Sequence, residues 1–597
     1  MSDFKCVLIE DARIADITSE EVFGVQSGAS QSTYQQFQAV SSSNSSIVFS
    51  VQIPSENIVI DRHLLLQSTV TFSIACANVP AGDLAFQYGL TDCFQAFPLN
   101  SLFTTTQATI NNVSVSTNTQ DVLPMLMRMN DSRMLSRYNS LTPSLPDNQY
   151  GSYSDAVGAN NNPLASYNTN SYDIDFVPRG AYPIVINSIT HSITAGGTDS
   201  SLVSTNVLDT WVIVITAQFT EPFLALSPFL NTLPNNSAGL VGVNNMSLVL
   251  NIDNTCKRVF STANTTITGS GTAAAISSYI QSITLGSVAS PNQPVGFANT
   301  RILFNFLSLQ PEQYAKISTK NVVPFLDYPR YLTTSTSSNL CAPLGSTIIT
   351  SQSIQLNQIP DLILICARVP MSAQKWYNAS SFLTINNISV NFNNASGMLA
   401  SATQQDLYNI SVANGSSQTY SEWVGAVNNN NPATGGVTSI PTTGGLLVLN
   451  PVNQFNLPSY LSASSLGQYQ FQFNLTVTNQ FPYAITPEVC IITMNSGIFA
   501  TQQGTSQIFT GILTKEQVLR TKEMNPVPHL DSGEYARLVG GKLSNMGMSS
   551  LMKMVRHYKK NKLSGGIHSG GAHSGGAMSA GAMCGGSMKG KLSKHLK

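Results

Sequence analysis

Charge is what this chain has least of. Asp, Glu, Lys and Arg make up only 10% of its 597 residues, against about a quarter in an ordinary soluble domain. A surface so thinly charged does not keep copies apart, so extensive self-association fits it better than existence as a lone soluble enzyme. Histidine is also scarce: of seven, only His63, His191 and His529 precede the basic tail, and they lie far apart. No HExxH, GxSxG, Walker or strand-borne GxGxxG pattern occurs, so the common hydrolase, NTPase and dinucleotide-enzyme signatures are missing. The first-half acids Asp61, Asp83, Asp92 and Asp121 carry no pairing signal and read as loop acids or helix caps. The eight cysteines are widely spaced with no CxxC pair, and those inside apolar runs, such as Cys366, read as buried thiols. No catalytic residue, cofactor or metal is therefore expected. No apolar run reaches the length of a membrane span, about 18 residues. An N-terminus carrying Asp3, Glu10 and Asp11 does not read as a signal peptide. The chain is expected to fold in a reducing cytoplasm or nucleus.

What is present is a body with 42% hydrophobic residues, rich in Asn, Ser, Thr and Gln. That is too apolar for disorder and suits strands whose outer faces carry uncharged polar groups. The net charge of −1 conceals two parts. Residues 1–509 hold 15 basic and 26 acidic residues, residues 510–541 four of each, and residues 542–597 ten basic and no acidic ones. An acidic body with a basic tail implies two sets of partners.

Two phrases recur. Residues 109–115 read TINNVSV and residues 384–390 read TINNISV, 275 positions apart. Each precedes a phrase of the form Ser/Thr-x-x-Gln, at 117–120 in the first copy and 401–404 in the second. Such a phrase caps a helix N-terminus, and the alternation inside TINN fits a half-buried strand. A strand-then-helix unit that occurs twice points to two similar domains.

Strands bounded by Asn, Gly, Pro or Ser clusters are expected at 46–53, 64–75, 107–115, 184–193, 210–219 and 246–252, with one clear helix at 120–129. A second series starts near residue 300 with 301–309 and runs through 322–332, 353–356, 362–367, the second TINN strand, 446–449, 471–477 and 489–493. Many short strands and few helices indicate an all-β chain of antiparallel sandwiches, Greek-key or jelly-roll, two in tandem. The division expected is an arm at 1–45 with little core of its own, a first sandwich at 46–295, a second at 296–510, a linker at 511–541 and a flexible basic Gly-rich tail at 542–597. The crossing between sandwiches is expected within the Thr/Ser/Gly/Ala-rich stretch 261–294, and 138–173 reads as a polar surface insertion. Asp61 and Arg62 form a candidate buried or interface ion pair, with a surface arginine at a strand start as the equal alternative. Trp211, Trp376 and Trp423 read as core or interface anchors.

In the tail, 543–560 sets Leu543, Met546, Leu551, Met554, Val555 and Tyr558 at roughly helical spacing among basic residues. Residues 564–590, with His568 and His573, are a low-complexity run that offers a metal no fixed geometry. Three readings compete: neutralising nucleic-acid phosphates, lying on a membrane as an amphipathic helix, or serving as an assembly segment later removed. Three apolar-x-Gly-Gly sites favour the last, at Gly540-Gly541, Gly565-Gly566 and Gly585-Gly586. Paired glycines let an extended backbone enter a tight protease groove without Cβ clashes, and the first site stands where the charge turns all-basic.

The sequence resembles the double jelly-roll major capsid proteins of virophages and polinton-like viruses. The resemblance is carried by VIDR at 59–62, QLNQIPDLIL at 355–364, LTINNISV at 383–390 through Asp406-Leu407-Tyr408, and VANG at 412–415 followed by Trp423. It extends over most of 46–510 and is most specific in 350–425. It implies two tandem eight-stranded jelly rolls per chain and three chains in a pseudo-hexagonal capsomer. The shell implied is that of an icosahedral double-stranded DNA virus or virophage, assembled in the host cytoplasm or a viral factory. The partners implied are further copies of the chain, neighbouring capsomers, penton and minor capsid proteins, and an adenovirus-type cysteine protease acting on the Gly-Gly sites. A weak contact of the basic tail with genome DNA joins them. A trimeric carbohydrate-binding or adhesive sandwich of fibre, spike or lectin type is the alternative, and a glycosidase on a sandwich scaffold ranks third.

Overall fold

Alternation decides the architecture. In Ser46–Gln52, Ile47, Phe49 and Val51 are fully buried while Ser50 and Gln52 face solvent, as a strand with one face on a core requires. The computed structural model describes residues 29–511 apart from 56–57, 80–83, 87–91, 131–182, 194–208, 230–238, 263–273, 276–278, 287–295, 310–320, 335–339, 377, 431–436, 459–460 and 482. The insertion expected at 138–173 and the tail with all six candidate glycines, Gly540, Gly541, Gly565, Gly566, Gly585 and Gly586, lie outside the described residues.

The first sandwich contains β1 (Ala29–Gln38), β2 (Ser46–Gln52), β3 (Leu65–Val79), β4 (Phe103–Ile110), β5 (Val113–Thr117), β6 (Ile184–Ile193), β7 (Asp209–Pro222), β8 (Asn245–Ile252), β9 (Ile280–Leu285) and β10 (Phe297–Leu309). One sheet runs β1–β10–β3–β7–β6 with β9 also on β3, and the other runs β2–β8–β4–β5. Two helices belong to it among the described residues, α1 (Pro98–Ser101) and α2 (Thr119–Met129).

The second sandwich contains β11 (Asn321–Asp327), β12 (Arg330–Thr334), β13 (Ser346–Thr350), β14 (Ile354–Gln358), β15 (Leu362–Arg368), β16 (Thr384–Phe392), β17 (Ala395–Met398), β18 (Leu447–Leu449), β19 (Leu466–Thr478), β20 (Glu488–Gln502) and β21 (Thr505–Thr510). Its sheets run β11–β20–β15–β18, with β12 and β21 also on β20, and β13–β19–β16–β17, with β14 also on β19. The helices α3 (Gln404–Ala413) and α4 (Tyr420–Val424) follow β17. In both units the last long strand lies next to the first, between β1 and β3 in the first unit and between β11 and β15 in the second, and the strands of the four large sheets pair antiparallel. Both are jelly rolls, with β1–β10–β3–β7 corresponding to β11–β20–β15–β18 and β2–β8–β4–β5 to β13–β19–β16–β17.

Three expectations about where parts begin are corrected by the pairing. The strand 29–38, placed in an arm, pairs with 301–309, in unbroken register from Gln31 to Gln38, and its Phe37 ring packs edge-on against Phe304 at 5.4 Å. The strand Phe297–Leu309, expected to open the second unit, pairs with β3 and closes the first sheet. The stretch read as a linker holds β9, paired with β3, because Ile280, Ile283 and Leu285 are core residues diluted by Ser, Thr and Gln. The chain passes from β10 to β11 within 310–320.

The duplicated phrase is not one element in two places. In the first copy, expected as a strand over 107–115, Asn111 and Asn112 form the tight turn between β4 and β5, with Asn111 at φ 53°. In the second, TINNISV lies inside β16, with a bulge between Ile385 and Asn387. The true counterpart of Asn111 is Asn393, at φ 50° in the β16–β17 turn. These two asparagines are 282 positions apart, so the phrase is seven residues out of register. Their bonding is the same: each backbone N–H donates across to the neighbouring strand, and each Oδ1 accepts a backbone N–H at 2.8 Å, from Asn244 and from Gln470. Asparagine serves because it tolerates the left-handed region and bonds locally. Asn111→Ala is expected to destabilise the chain by about 2 kcal/mol, read as a lower denaturant midpoint, since Asn111 also donates to Gly242 O and Ser506 Oγ.

The expected helix caps shift as well. The α2 cap residue, Asn118, makes no side-chain cap bond, and the Thr119 hydroxyl bonds Thr106 at 2.6 Å instead. The α3 cap is a reciprocal pair of Thr403 and Asp406. Gln404, assigned to the capping role, donates to Ile385 O and ties the helix to β16.

Candidate assembly site

The helix α2 carries the junction between the sandwiches. Its residues Val122, Met125, Leu126 and Met129 join Leu362, Leu364 and Cys366 of β15, Val448 of β18, and Cys490, Ile492 and Met494 of β20 in one buried cluster. The neighbours of these strand residues, Ile363, Ile365, Leu447, Leu449 and Ile491, point the other way into the second core. A helix of the first unit thus covers the outer face of a sheet of the second, which explains why β15 is buried at every position. Further along, Val323 and Phe325 of β11 and Phe499 of β20 reach into the first core. At the edge, Ser506 of β21 donates its N–H to Asn112 Oδ1 at 2.7 Å.

Inside this apolar seam sits an ionic network. Asp121, in the first turn of α2, lies 2.6 Å from Arg368 of β15 and 2.5 Å from Arg330 of β12. Arg368 also donates through Nε and Nη2 to Glu488, its cross-strand partner on β20. Burial alone would raise the Asp121 carboxyl, but the Arg368, Arg330 and Arg258 charges together outweigh it and hold the group below its ordinary value. Asp121 is therefore no loop acid.

Two more buried arginines bridge the units through main-chain carbonyls. Pro124 has no N–H for the carbonyl four residues back, that of Gln120. Arg258, from the segment after β8, donates to that freed carbonyl and also to Ala379 O and Gln374 Oε1 of the second unit. Arg128 near the end of α2 is wholly buried. It donates to Pro124 O at 2.9 Å, Ser380 O at 2.8 Å, Thr443 O at 2.7 Å and Gly444 O at 3.3 Å, with its guanidinium 3.8 Å above the Phe382 ring. The cradle needs glycine at 444, at φ 81°, where a Cβ would lie 1.9 Å from Phe382 O.

The remaining candidates resolve simply. Arg62 is buried and donates to Pro228 O at 3.5 Å, which excludes the surface reading, while Asp61 accepts from the Nδ1 of His63 at 2.7 Å. Trp423 is a core anchor whose Nε1 donates to Leu446 O. Trp376 joins the first core from the second unit, and Trp211 packs partly buried against it. Cys76, Cys256, Cys341, Cys366 and Cys490 are free and buried. Among the described residues no three His, Cys, Asp or Glu side chains gather as a metal site, and no helix is long and apolar enough to cross a membrane.

Glu221 makes the fold sensitive to pH. Its carboxylate accepts from Leu99 N–H, Asn100 N–H and Asn100 Nδ2, and burial outweighs these bonds, pushing it up from 4.5 to about 7. Between those values the folded chain keeps a proton that the unfolded chain releases, so this group's contribution to stability falls as pH rises. The expected loss is up to about 3 kcal/mol between pH 4.5 and 7, seen in denaturant midpoints, and Glu221→Gln should flatten it. Asp121 acts oppositely: its contribution is complete above the unfolded value of 3.8 and is lost as pH falls through its lower folded value.

The arrangement holds two sandwiches as one block, and what it brings together among the described residues is structural. Comparison with known proteins agrees. Residues 2–307 match the family model of the Sputnik virophage major capsid protein first domain, and residues 328–497 that of the major capsid protein V20 C-terminal domain. The putative capsid protein V20 of Sputnik virophage is 27% identical over 546 residues, covering 90% of this chain and 84% of the relative. A chain in the cryo-EM structure of the Sputnik virophage superimposes with a TM-score of 0.71 at 25% identity, over 89% of this chain and 98% of that one. The mavirus major capsid protein shares the fold at a TM-score of 0.61 and 14% identity, over 88% and 99%. The chain belongs to the virophage major capsid proteins of the double jelly-roll type, a structural subunit of an icosahedral capsid and not an enzyme.

Proposed function

We propose that the chain forms homotrimeric, pseudo-hexagonal capsomers, with one jelly-roll unit over 29–309 and the other over 321–511. The observation that carries this reading is the near-identical strand order of the two sandwiches, joined through a buried apolar seam. Two similar units per chain give a threefold object a nearly sixfold outline, which tiles a flat icosahedral face. The basic tail faces inward, makes a weak contact with genome DNA, and is cut by a cysteine protease at Gly540-Gly541, with Gly565-Gly566 and Gly585-Gly586 as secondary sites. Penton and minor capsid proteins complete the shell, which assembles in the host cytoplasm or a viral factory. Cryo-EM of purified particles is expected to show pseudo-hexagonal trimers; a chain that stays monomeric under all conditions overturns the reading. Mass spectrometry of mature particles is expected to end the chain at Gly541, and an intact C-terminus at Lys597 overturns the cleavage.

A further inference from the structure

Two of the buried thiols face each other across the sheet that α2 covers. Cys366 of β15 and Cys490 of β20 are directly opposed in the antiparallel ladder. On the same face they stand between the Leu364–Ile492 pair and the Arg368–Glu488 pair. That face is turned to the seam, where Val122, Met125 and Leu126 of α2 join the same cluster. Both thiols are wholly buried and free. Opposed residues of an antiparallel pair hold their Cα atoms about 4.5–5.5 Å apart, inside the range of about 4.4–6.8 Å that a disulfide spans. The sulfurs already meet: the Cys490 thiol is held well above its ordinary value first by a hydrogen bond to the Cys366 thiol and then by burial. The other free buried cysteines have no such neighbour among the described residues. Cys76 lies opposite Trp211 and Ile280, while Cys256 and Cys341 donate to the carbonyls of Asn254 and Gly345.

The geometry points to a disulfide site: a peroxide oxidises Cys366 and Cys490 to a cross-strand bond that staples β15 to β20 beneath α2. The Cys490 sulfur attacks one peroxide oxygen as the O–O bond breaks, giving a sulfenic acid and water. The Cys366 sulfur then displaces the sulfenic oxygen, and the S–S bond forms as a second water leaves. The two sulfurs give up two electrons, the peroxide takes them, and both thiol hydrogens end in water. Attack needs a thiolate, which burial disfavours and the Arg368 charge beside Cys490 favours. Burial prevails, so oxidation is slow. The pair therefore stays reduced while the chain folds in a reducing cell and closes in the released particle, where thiols are no longer regenerated. A peroxide is small enough to reach it by local opening of the seam, as a bulky disulfide reagent is not. The bond would close a loop between residues 124 positions apart, and cross-links over long loops restrict the unfolded chain most.

The test starts from the full chain purified with its thiols reduced. It is treated with hydrogen peroxide, unfolded in denaturant with N-ethylmaleimide, and digested without reductant for mass spectrometry. A peptide pair joining Cys366 to Cys490 is expected, with Cys76, Cys256 and Cys341 alkylated. The oxidised chain should melt about 5 °C higher than the reduced one. Cys366→Ala and Cys490→Ala should each show no such rise on peroxide treatment. If either variant fails to fold, the cross-linked peptide of the unmodified chain decides alone. Particles isolated without reductant, with N-ethylmaleimide present throughout, should carry the same cross-link. Both cysteines alkylated after peroxide, oxidation that ends in sulfinic acid with no cross-link, or thiols still free in the particle overturn the site. A cross-link that leaves the melting temperature unchanged overturns its role as a staple.

Discussion

Replacing Asp121 with alanine is expected to destabilise the chain by about 3–5 kcal/mol, the cost of leaving buried charges uncompensated. The carboxylate is the one acid of α2, and it meets Arg368 and Arg330 directly and feels the charge of Arg258. Without it, Arg368 keeps Glu488, but the cations in the seam then repel one another with no anion between them. Arg330→Ala is the internal comparison. That side chain is 31% exposed, so solvent screens its pair, and its loss should cost no more than about 1 kcal/mol. Denaturant unfolding of both variants measures the contrast. Hydrogen exchange should report early opening along α2 in Asp121→Ala, because the helix is where the charges face each other. A midpoint for Asp121→Ala equal to that of Arg330→Ala would remove the network from the account of how the sandwiches are joined.

Arg128→Met should cost a similar amount, about 4 kcal/mol, for a different reason. Methionine fills the apolar stem of the arginine but donates nothing, and the four carbonyls of Pro124, Ser380, Thr443 and Gly444 lose their shared donor in a buried site. Arg128→Lys separates charge from shape. A lysine keeps the positive charge near the Phe382 ring, yet its single ammonium has three donors and no planar fork. It should recover only part of the loss, and its melting temperature should fall between those of methionine and arginine. Full recovery by lysine would mean that the planar fork adds nothing.

The sequence was most legible where one face of an element meets one core. Alternation in 46–53 and 246–252 marks strands that lie where expected, and the apolar run 120–129 marks α2 within one residue. The TINN phrase identified the duplication correctly in outline and wrongly in detail. Local chemistry in Asn-Asn suits a turn in one copy and a bulged strand in the other, and only pairing with β8 or β19 chooses between them. β9 and β10 were misassigned because their partners, β3 and β1, lie some 200 or more residues earlier and composition carries no trace of such distant pairing. The seam arginines were invisible for a related reason. Each is a single residue in its own segment, and what makes Arg128, Arg258 and Arg368 a group is the docking of α2 on β15.

That docking has a kinetic consequence. Because the two sandwiches belong to one chain they stay within a few nanometres of each other, so the seam forms at an effective concentration in the millimolar range, as for covalently linked modules. In the proposed ring of six units, half of the contacts are then made before any encounter between molecules, at a rate that does not depend on protein concentration. Only the other half is subject to dilution. A capsomer of three duplicated chains should therefore nucleate at far lower protein concentration than a ring of six separate sandwiches with the same surfaces.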